Sequence, residues 1–455
     1  MKRPVNKQEI YTLDIVDLSH QATGVAKKDN YTIFVEGAIP GDRVEAKIIK
    51  AKKNYAVARC MKIVEPSKHR REPICPIANI CGGCQIMNID YAEQLRLKKE
   101  RVKQELRRNN LEHIEVLDTL GMAEPYYYRN KAQFPVGERK GKLEIGFYKP
   151  QSHDIVDTKH CYIQHEINDK IIDIIRFFME MYQIPAYDEV HQRGLVRHII
   201  TKTSFKTRDV MLILVINGSE LPHSEELIDL LTQRVEQIKS IQININEKNT
   251  NVILGNKTVK IYGEDQLIDY IGDLSFVISP ESFFQVNPLQ TEVLYQKALE
   301  KAGLTGEETV YDLYCGIGSI SLFLAQKAKK VYGIEVVKQA IENARENARR
   351  NGIENAEFYL GTAEEVFPKL YKEGKKADVV VVDPPRKGCD EAVLDTIVEM
   401  NPEKVVYVSC NPASLARDIA YLMEKGYVAE EIQPVDMFPH SLHVETVVKL
   451  QRKNH

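Results

Sequence analysis

Residues 309–318, TVYDLYCGIG, decide the fold class of this chain. A short apolar run ends at Asp312, a turn containing Gly316 and Gly318 follows, and the next residues favour a helix. Glu335 closes the following apolar run, 17 residues after Gly318. Glycines in such a turn let a ligand approach the backbone, and an acid at this distance suits hydrogen bonds to ribose hydroxyls. The pattern predicts the first strand, turn and helix of a nucleotide-binding sheet.

The alternation of strand and helix continues to the end of the chain. Strands are predicted at 309–313, 330–334, 356–360, 377–382 and 404–409, and the clearest helix at 337–350. Continuous apolar strands separated by helices are typical of a parallel sheet covered on both faces, and a last strand pair at 428–433 and 444–450 can close it. We therefore predict an α/β domain of Rossmann-like class over residues 276–455.

Two ligand classes fit the glycine turn, the dinucleotides and S-adenosylmethionine. The dinucleotide fingerprint has a third glycine or alanine where this chain has Ser321. The sequence DPPR, residues 383–386, ends the fourth strand and fixes the Asp383 carboxylate at the edge where such sheets bind ligands. Both observations favour S-adenosylmethionine.

Cys410 follows the fifth predicted strand, in the sequence SCNP at 409–412. A helix is expected to start at Pro412, and a thiol that faces a helix N-terminus has its thiolate favoured by the helix dipole. The alternative is an unreactive buried cysteine at a strand end. The Asp383 turn at a neighbouring strand end favours the interpretation of Cys410 as a nucleophile.

The charge of the chain is unevenly distributed. Its 455 residues contain 62 Lys and Arg and 65 Asp and Glu, a net charge of −3. Residues 1–149 carry 28 basic and 19 acidic residues, whereas residues 150–455 carry 34 and 46. The sequence lacks the apolar core of a signal peptide and any long apolar run, so we expect a cytoplasmic protein with no membrane partner. The basic third predicts a surface for a polyanion.

The N-terminal 275 residues are predicted to form two domains. Short alternating segments at 11–18, 31–35, 42–49 and 55–63 indicate a small antiparallel barrel over residues 1–66. Residues 67–275 form a central α+β domain, in which a basic helix at 92–110 could pack on the catalytic domain and residues 127–217 are rich in strands. Cations and aromatic residues combine in the barrel, the basic helix and residues 126–131, as in single-stranded RNA binding.

Four cysteines suggest a metal centre in the central domain. Cys75, Cys81 and Cys84 cluster, and Cys161 stands apart. Four thiolates can hold zinc or a 4Fe-4S cluster, and three close cysteines with one remote cysteine suit the iron cluster better. The alternative to a metal centre is that the four cysteines bind no metal.

Several motifs together resemble the RNA (uracil-5-)-methyltransferase family, in particular its bacterial 23S ribosomal RNA branch with a TRAM domain and a 4Fe-4S cluster. They are SFFQVN at 282–287, DLYCGIG at 312–318, DPPRKG at 383–388, SCNP at 409–412 and HVET at 443–446. The resemblance implies a TRAM RNA-binding barrel of OB-like form, Cys410 as nucleophile and Glu445 as general base. It also implies that S-adenosylmethionine is contacted by Gln285, Tyr314, Glu335 and Asp383. The implied ligands of the 4Fe-4S cluster are Cys75, Cys81, Cys84 and Cys161.

The resemblance predicts methyl transfer to carbon 5 of uridine through a covalent bond from Cys410 to carbon 6, with 23S ribosomal RNA as partner and no obligate protein partner. The flipped base could stack on Phe283, for which a core position is the alternative. Three other functions stay open. They are tRNA uracil-5 methylation, RNA cytosine-5 methylation and a non-catalytic role in RNA binding or ribosome assembly. The resemblance implies that the tRNA branch lacks the barrel and the cysteine cluster, so their presence here argues against a tRNA substrate.

Overall fold

The computed structural model describes residues 4–453. The outer ends of the first and last predicted domains, residues 1–3 and 454–455, lie outside the described residues. Within residues 4–453 no helix is long and apolar enough to cross a membrane.

The N-terminal part is a curled six-stranded sheet. Its strands are β1 (Ile10–Asp14), β2 (Asp17–Leu18), β3 (Gly24–Lys28), β4 (Tyr31–Glu36), β5 (Arg43–Ala51) and β6 (Tyr55–Glu65). They follow the order β1-β5-β6-β4-β3-β2, and β4 pairs with β6 in parallel. Alternate side chains, such as Ile33 and Val35, fill the core of this sheet.

The predicted small antiparallel barrel is corrected in two respects, since one of its strand pairs is parallel and its sheet has no closing ladder within residues 4–453. Because only two residues connect β1 to β2, the two edges of the sheet meet at one corner. No ladder between β1 and β2 completes a barrel in the described part of the chain. The parallel β4–β6 pair makes the sheet mixed, which the spacing of turns could not reveal.

The central part begins with a helix and continues as a mixed sheet. Its elements are α1 (Tyr91–Arg108), β7 (Glu115–Val116), β8 (Lys131–Arg139), β9 (Lys142–Tyr148), β10 (Ile155–Asp157), α2 (Ile167–Met181), β11 (Val196–Thr203), β12 (Val210–Ile216), α3 (Ser224–Arg234), β13 (Ile238–Ile245), β14 (Lys257–Gly263), β15 (Leu267–Ile271) and β16 (Leu274–Ile278). The sheet order is β10-β9-β8-β11-β12-β13-β14, and β15 and β16 form a separate hairpin. Helix α2 lies inside the stretch that was predicted to be rich in strands. Its buried face is built from isoleucines and phenylalanine, residues that also favour strands.

The C-terminal part is an eight-stranded sheet covered on both faces. Its elements are α4 (Pro288–Ala302), β17 (Thr309–Asp312), α5 (Ser319–Ala325), β18 (Lys330–Glu335), α6 (Lys338–Arg350), β19 (Ala356–Leu360), α7 (Ala363–Lys372), β20 (Val379–Val382), α8 (Glu391–Met400), β21 (Lys404–Ser409), α9 (Pro412–Glu424), β22 (Tyr427–Val435) and β23 (Glu445–Arg452). The order is β19-β18-β17-β20-β21-β23-β22-β7. The predicted α/β class and all five predicted parallel strands are confirmed.

The strand order decides where a ligand binds. From β17 the chain winds first to β18 and β19 and then crosses to β20 and β21, so the order reverses between β17 and β20. Sheets of this kind bind ligands outside the carboxyl ends of the strands at that switch point. The glycine turn, the Asp383 turn and Cys410 all follow carboxyl ends of these strands.

Helix α1 packs against α9 and adds to the C-terminal core. Its side chains Val102 and Leu106 are buried in the same apolar cluster as Leu415 and Ile419 of α9. The following strand, β7, pairs in parallel with β22 at the sheet edge. This segment thus belongs structurally to the C-terminal sheet.

Candidate active site

Two cavities meet at the carboxyl edge of the C-terminal sheet. The smaller has a volume of about 540 Å³ and is lined by the glycine turn and the ends of β18 and β20. The larger, about 840 Å³, extends from the ends of β20 and β21 to the cysteine-rich loop. Phe283, Asp383 and Pro385 line both. A group in one cavity can therefore reach a group in the other past the Asp383 carboxylate.

Three of the four residues predicted to contact S-adenosylmethionine line the smaller cavity, namely Tyr314, Glu335 and Asp383. The Glu335 carboxylate accepts hydrogen bonds from the backbone N–H of Gly316 at 3.1 Å and of Val337 at 2.8 Å. These bonds fix the acid at the rim of the turn. The fourth residue, Gln285, lines only the larger cavity.

The glycine turn depends on Ser321, which in the sequence was notable only as a departure from the dinucleotide pattern. The Ser321 hydroxyl donates to Asp312 Oδ2 at 2.6 Å in the core of the turn. The other oxygen, Asp312 Oδ1, is buried and has no partner, and burial raises the pKa of Asp312 to about 6. A glycine at 321 would leave this buried acid without any side-chain donor.

Asn343 also belongs to this region and was missed. It lies on α6, lines the smaller cavity, and its buried Nδ2 has no hydrogen-bond partner. The sequence offered no signal for Asn343, because one asparagine within a charged helix is unremarkable.

Cys410 and Glu445 lie directly across from each other in the larger cavity. Strands β21 and β23 are antiparallel neighbours, with Ser409 opposite Thr446. Cys410 is the next residue along one strand and Glu445 the preceding residue of the other, so the register brings them together. The Thr446 hydroxyl donates to the Ser409 carbonyl at 3.1 Å and locks this register.

Burial and neighbouring carboxylates control the protonation of this pair. Burial, and then the charge of Asp383, raise the pKa of Glu445 to about 8, while Arg386 opposes the shift. Burial, Glu445 and Asp383 raise the pKa of Cys410 to about 11. Burial and the two carboxylates thus disfavour the Cys410 thiolate in the free protein more than Arg386 favours it, and they oppose the effect predicted for the α9 N-terminus.

Phe283 stands at the junction of the cavities with 71% of its surface exposed. The alternative of a core phenylalanine is therefore wrong. The exposed ring is accessible to a flat partner from either cavity.

The four clustered cysteines surround the far end of the larger cavity. Cys75, Cys81, Cys84 and Cys161 all line it and are free thiols. Burial raises the pKa of Cys161 to about 11, and Cys81 and Cys75 are close enough to add to this shift. In residues 4–453 no three His, Cys, Asp or Glu side chains are arranged to hold a metal ion. The predicted metal centre is thus not demonstrated, although the sequence-distant thiols do converge.

Comparison with known proteins decides the family. Residues 90–453 match the family model described as tRNA (Uracil-5-)-methyltransferase, and residues 4–60 match the TRAM domain. The chain belongs to the tRNA (uracil-5-)-methyltransferase family. It is an RNA methyltransferase with the fold of S-adenosylmethionine-dependent methyltransferases and an N-terminal TRAM domain.

Curated relatives in this family align over nearly the whole chain. An uncharacterized RNA methyltransferase of Clostridium tetani is 52% identical, with 98% of this chain and 97% of the relative covered. Another from Halalkalibacterium halodurans is 50% identical, with 99% of each covered. These names support RNA as the substrate class.

A solved structure corrects one sequence argument. The Pyrococcus abyssi tRNA (uracil-54, C5)-methyltransferase in complex with S-adenosyl-L-homocysteine matches with 28% identity and a TM-score of 0.79. The match covers 96% of this chain and 99% of that one. A tRNA enzyme therefore extends over the N-terminal region as well, and the presence of that region does not exclude a tRNA substrate.

Proposed function

We propose that this protein transfers a methyl group from S-adenosylmethionine to carbon 5 of a uridine in 23S ribosomal RNA. The observation that carries the proposal is the pairing of Cys410 with Glu445 in a cavity that meets the glycine-turn cavity at Asp383. A nucleophile, a base and a methyl-donor site are thus adjacent.

The methyl donor would occupy the smaller cavity. Glu335 suits the ribose hydroxyls, and Tyr314 and Asp383 suit the remaining donor groups. We retain Gln285 as a contact for the donor's reactive end, since it lies beside the junction with Asp383. A donor bound in the smaller cavity would lie next to the junction at Asp383, beyond which Cys410 lines the larger cavity.

The target uracil would leave the RNA stack and enter the larger cavity against the exposed Phe283 ring. The Cys410 thiolate adds to carbon 6, and the electrons of the 5,6 double bond move onto oxygen 4 as an enolate. Because the Cys410 pKa lies far above neutrality, its proton must leave as the substrate binds. The Asp383 carboxylate is the neighbouring group that can take this proton, which leaves Glu445 free to accept the later proton from carbon 5.

Carbon 5 of the enolate then attacks the methyl group, the carbon–sulfur bond breaks, and S-adenosylhomocysteine leaves. Glu445 removes the remaining proton from carbon 5. The electron pair of that carbon–hydrogen bond re-forms the 5,6 double bond and expels the Cys410 thiolate. Atoms and charge balance, and no external oxidant or reductant is needed.

The N-terminal 275 residues would bind the RNA. We propose that residues 1–66 act as the TRAM unit, residues 67–275 as the central domain, and residues 276–455 as the methyltransferase domain. Between 43 and 71 the chain has ten basic and two acidic residues, which suits phosphate contacts. A tRNA uridine is the second candidate substrate, because the Pyrococcus abyssi tRNA enzyme matches over 96% of the chain.

The cysteines would hold a 4Fe-4S cluster. The four thiols converge on one cavity but no three are arranged around a single ion, and a cluster spreads its ligands over several irons. Bound there, the cluster would cross-link the loop of Cys75, Cys81 and Cys84 to the segment that carries Cys161. A brown protein that bleaches in air supports this assignment, whereas a colourless protein with stoichiometric zinc refutes it.

Tritium release tests the reaction and its substrate together. Ribosomal RNA and tRNA, each tritiated at uracil carbon 5, are incubated separately with the protein and S-adenosylmethionine. Tritium release from ribosomal RNA alone supports the proposal. Tritium release from tRNA alone shows that the substrate is tRNA and not ribosomal RNA. No release from either RNA, although both are bound, contradicts methylation at carbon 5.

A further inference from the structure

The connection between β22 and β23, residues 436–444, leads directly into Glu445. It also forms part of the wall of the larger cavity through Phe438, Ser441 and His443. Because Glu445 is the first residue after this connection, a movement of its end would displace the Glu445 carboxylate.

Helix α1 holds the start of the connection by an ion pair buried in the core. Lys98 pairs with Asp436, and both side chains are fully inaccessible to solvent. The Lys98 ammonium also donates to the Phe438 carbonyl at 3.0 Å. The Tyr91 hydroxyl donates to Asp436 Oδ2 at 2.9 Å. A pair this deeply buried adds little net stability, since desolvation offsets the attraction, so its value lies in the geometry that it enforces.

The same helix holds the connection at two further points. Gln94 Oε1 accepts from the His440 backbone N–H at 3.0 Å. Arg101 Nη1 donates to the Leu442 carbonyl at 2.8 Å. One face of α1 thus contacts successive residues of the connection, through positions 91, 94, 98 and 101.

Other parts of the chain also hold the connection. The backbone N–H groups of Gln85 and Ile86 both donate to the His440 carbonyl at 3.0 Å. Asn287 Nδ2 donates to the Met437 carbonyl at 3.1 Å. Among these hydrogen bonds, the ones from α1 include charged donors, Lys98 and Arg101, so removal of the α1 ion pair is a selective way to loosen the connection.

We propose that Lys98, acting through Asp436, is a positioning residue that holds Glu445 within reach of the proton on carbon 5 of the substrate. This inference rests on the proposed covalent mechanism. Cys410 is fixed independently, by β21 and by the start of α9. Loss of the Lys98–Asp436 pair therefore slows proton removal and leaves addition and methyl transfer nearly intact.

The experiment follows one turnover of protein and RNA with two readouts, methyl incorporation and the fraction of RNA in a denaturant-resistant adduct. Lys98→Met alone leaves a buried, unpaired carboxylate and is strongly destabilising. The double variant Lys98→Met/Asp436→Asn removes both charges and avoids that penalty. Tyr91→Phe, which deletes only one hydroxyl, gives a milder second perturbation. The control is Arg176→Met/Asp157→Asn, an ion pair between α2 and β10.

We expect the double variant to break down its adduct roughly 10- to 100-fold more slowly, while first-turnover methyl transfer stays within about threefold of the unmodified protein. Tyr91→Phe shows the same signature with a smaller change, and the control shows none. Equal slowing of both steps, or unchanged breakdown in the double variant and in Tyr91→Phe, overturns the inference. An unmodified protein that never forms an adduct overturns the proposed mechanism, and the inference with it.

Discussion

The raised pKa of Glu445 predicts how the last chemical step depends on pH. With a pKa of about 8, Glu445 is about 10% ionised at pH 7 and about 90% ionised at pH 9. Only the ionised carboxylate can accept the carbon 5 proton. Adduct breakdown should therefore accelerate close to tenfold between pH 7 and pH 9 and then level off.

After methyl transfer the sulfur of S-adenosylhomocysteine is neutral, so the donor no longer holds a positive charge near Glu445. Asp383, which raises the Glu445 pKa, and Arg386, which lowers it, stay in place during this step. Adduct formation should behave differently. With a Cys410 pKa of about 11, its rate should still rise above pH 9.

The assay forms the adduct at one pH, jumps to a second, and measures the loss of the denaturant-resistant band. Arg386→Gln serves as the matched variant, because loss of the guanidinium raises the Glu445 pKa and moves the breakdown profile to higher pH. Breakdown that is independent of pH from 6 to 9, or a profile that Arg386→Gln moves to lower pH, would refute the role given to Glu445.

Three further substitutions test the site. Cys410→Ala should abolish methylation and adduct formation while RNA binding, measured by filter retention, is unchanged; turnover by this variant would exclude Cys410 as the nucleophile. Gly318→Ala should weaken S-adenosylmethionine binding, measured by calorimetry. Gly318 has a φ of +83°, and the new Cβ would lie 3.2 Å from Ala344. This backbone conformation costs a residue with a Cβ roughly 1–2 kcal/mol. Ser321→Ala should lower the free energy of unfolding by about 1–3 kcal/mol, since it leaves Asp312 buried without that donor; unchanged thermal unfolding would show that the bond is not needed.

The C-terminal sheet was predictable because its signals are local. Each parallel strand is a continuous apolar run, and each ends in a polar turn that a ligand can use, as at Asp312 and Asp383. The Cys410 and Glu445 pairing was not readable from periodicity. It depends on the antiparallel register of two strands separated by α9 and β22, and only the family resemblance named both residues.

Other features depend on tertiary contacts that leave little trace in the sequence. The parallel β4–β6 pair makes a mixed sheet of what the turn spacing indicated was antiparallel. Helix α2 was missed because its buried isoleucines favour strands as strongly as helices. The basic helix α1 was predicted to contribute to RNA binding and to be able to pack on the catalytic domain, but the burial of Lys98 against the connection that leads to Glu445 left no signal in the sequence. The pKa of Cys410 depends on two carboxylates that are distant in sequence.

The most direct test of the account is mass spectrometry of the adduct formed by the Glu445→Gln variant. A variant that cannot remove the carbon 5 proton should accumulate protein–RNA conjugate after methyl transfer. The proposed mechanism predicts one modified peptide, containing Cys410, attached to a uridine that already carries the new methyl group. A conjugate at another cysteine, or methylated RNA released at the normal rate with no conjugate, would contradict it.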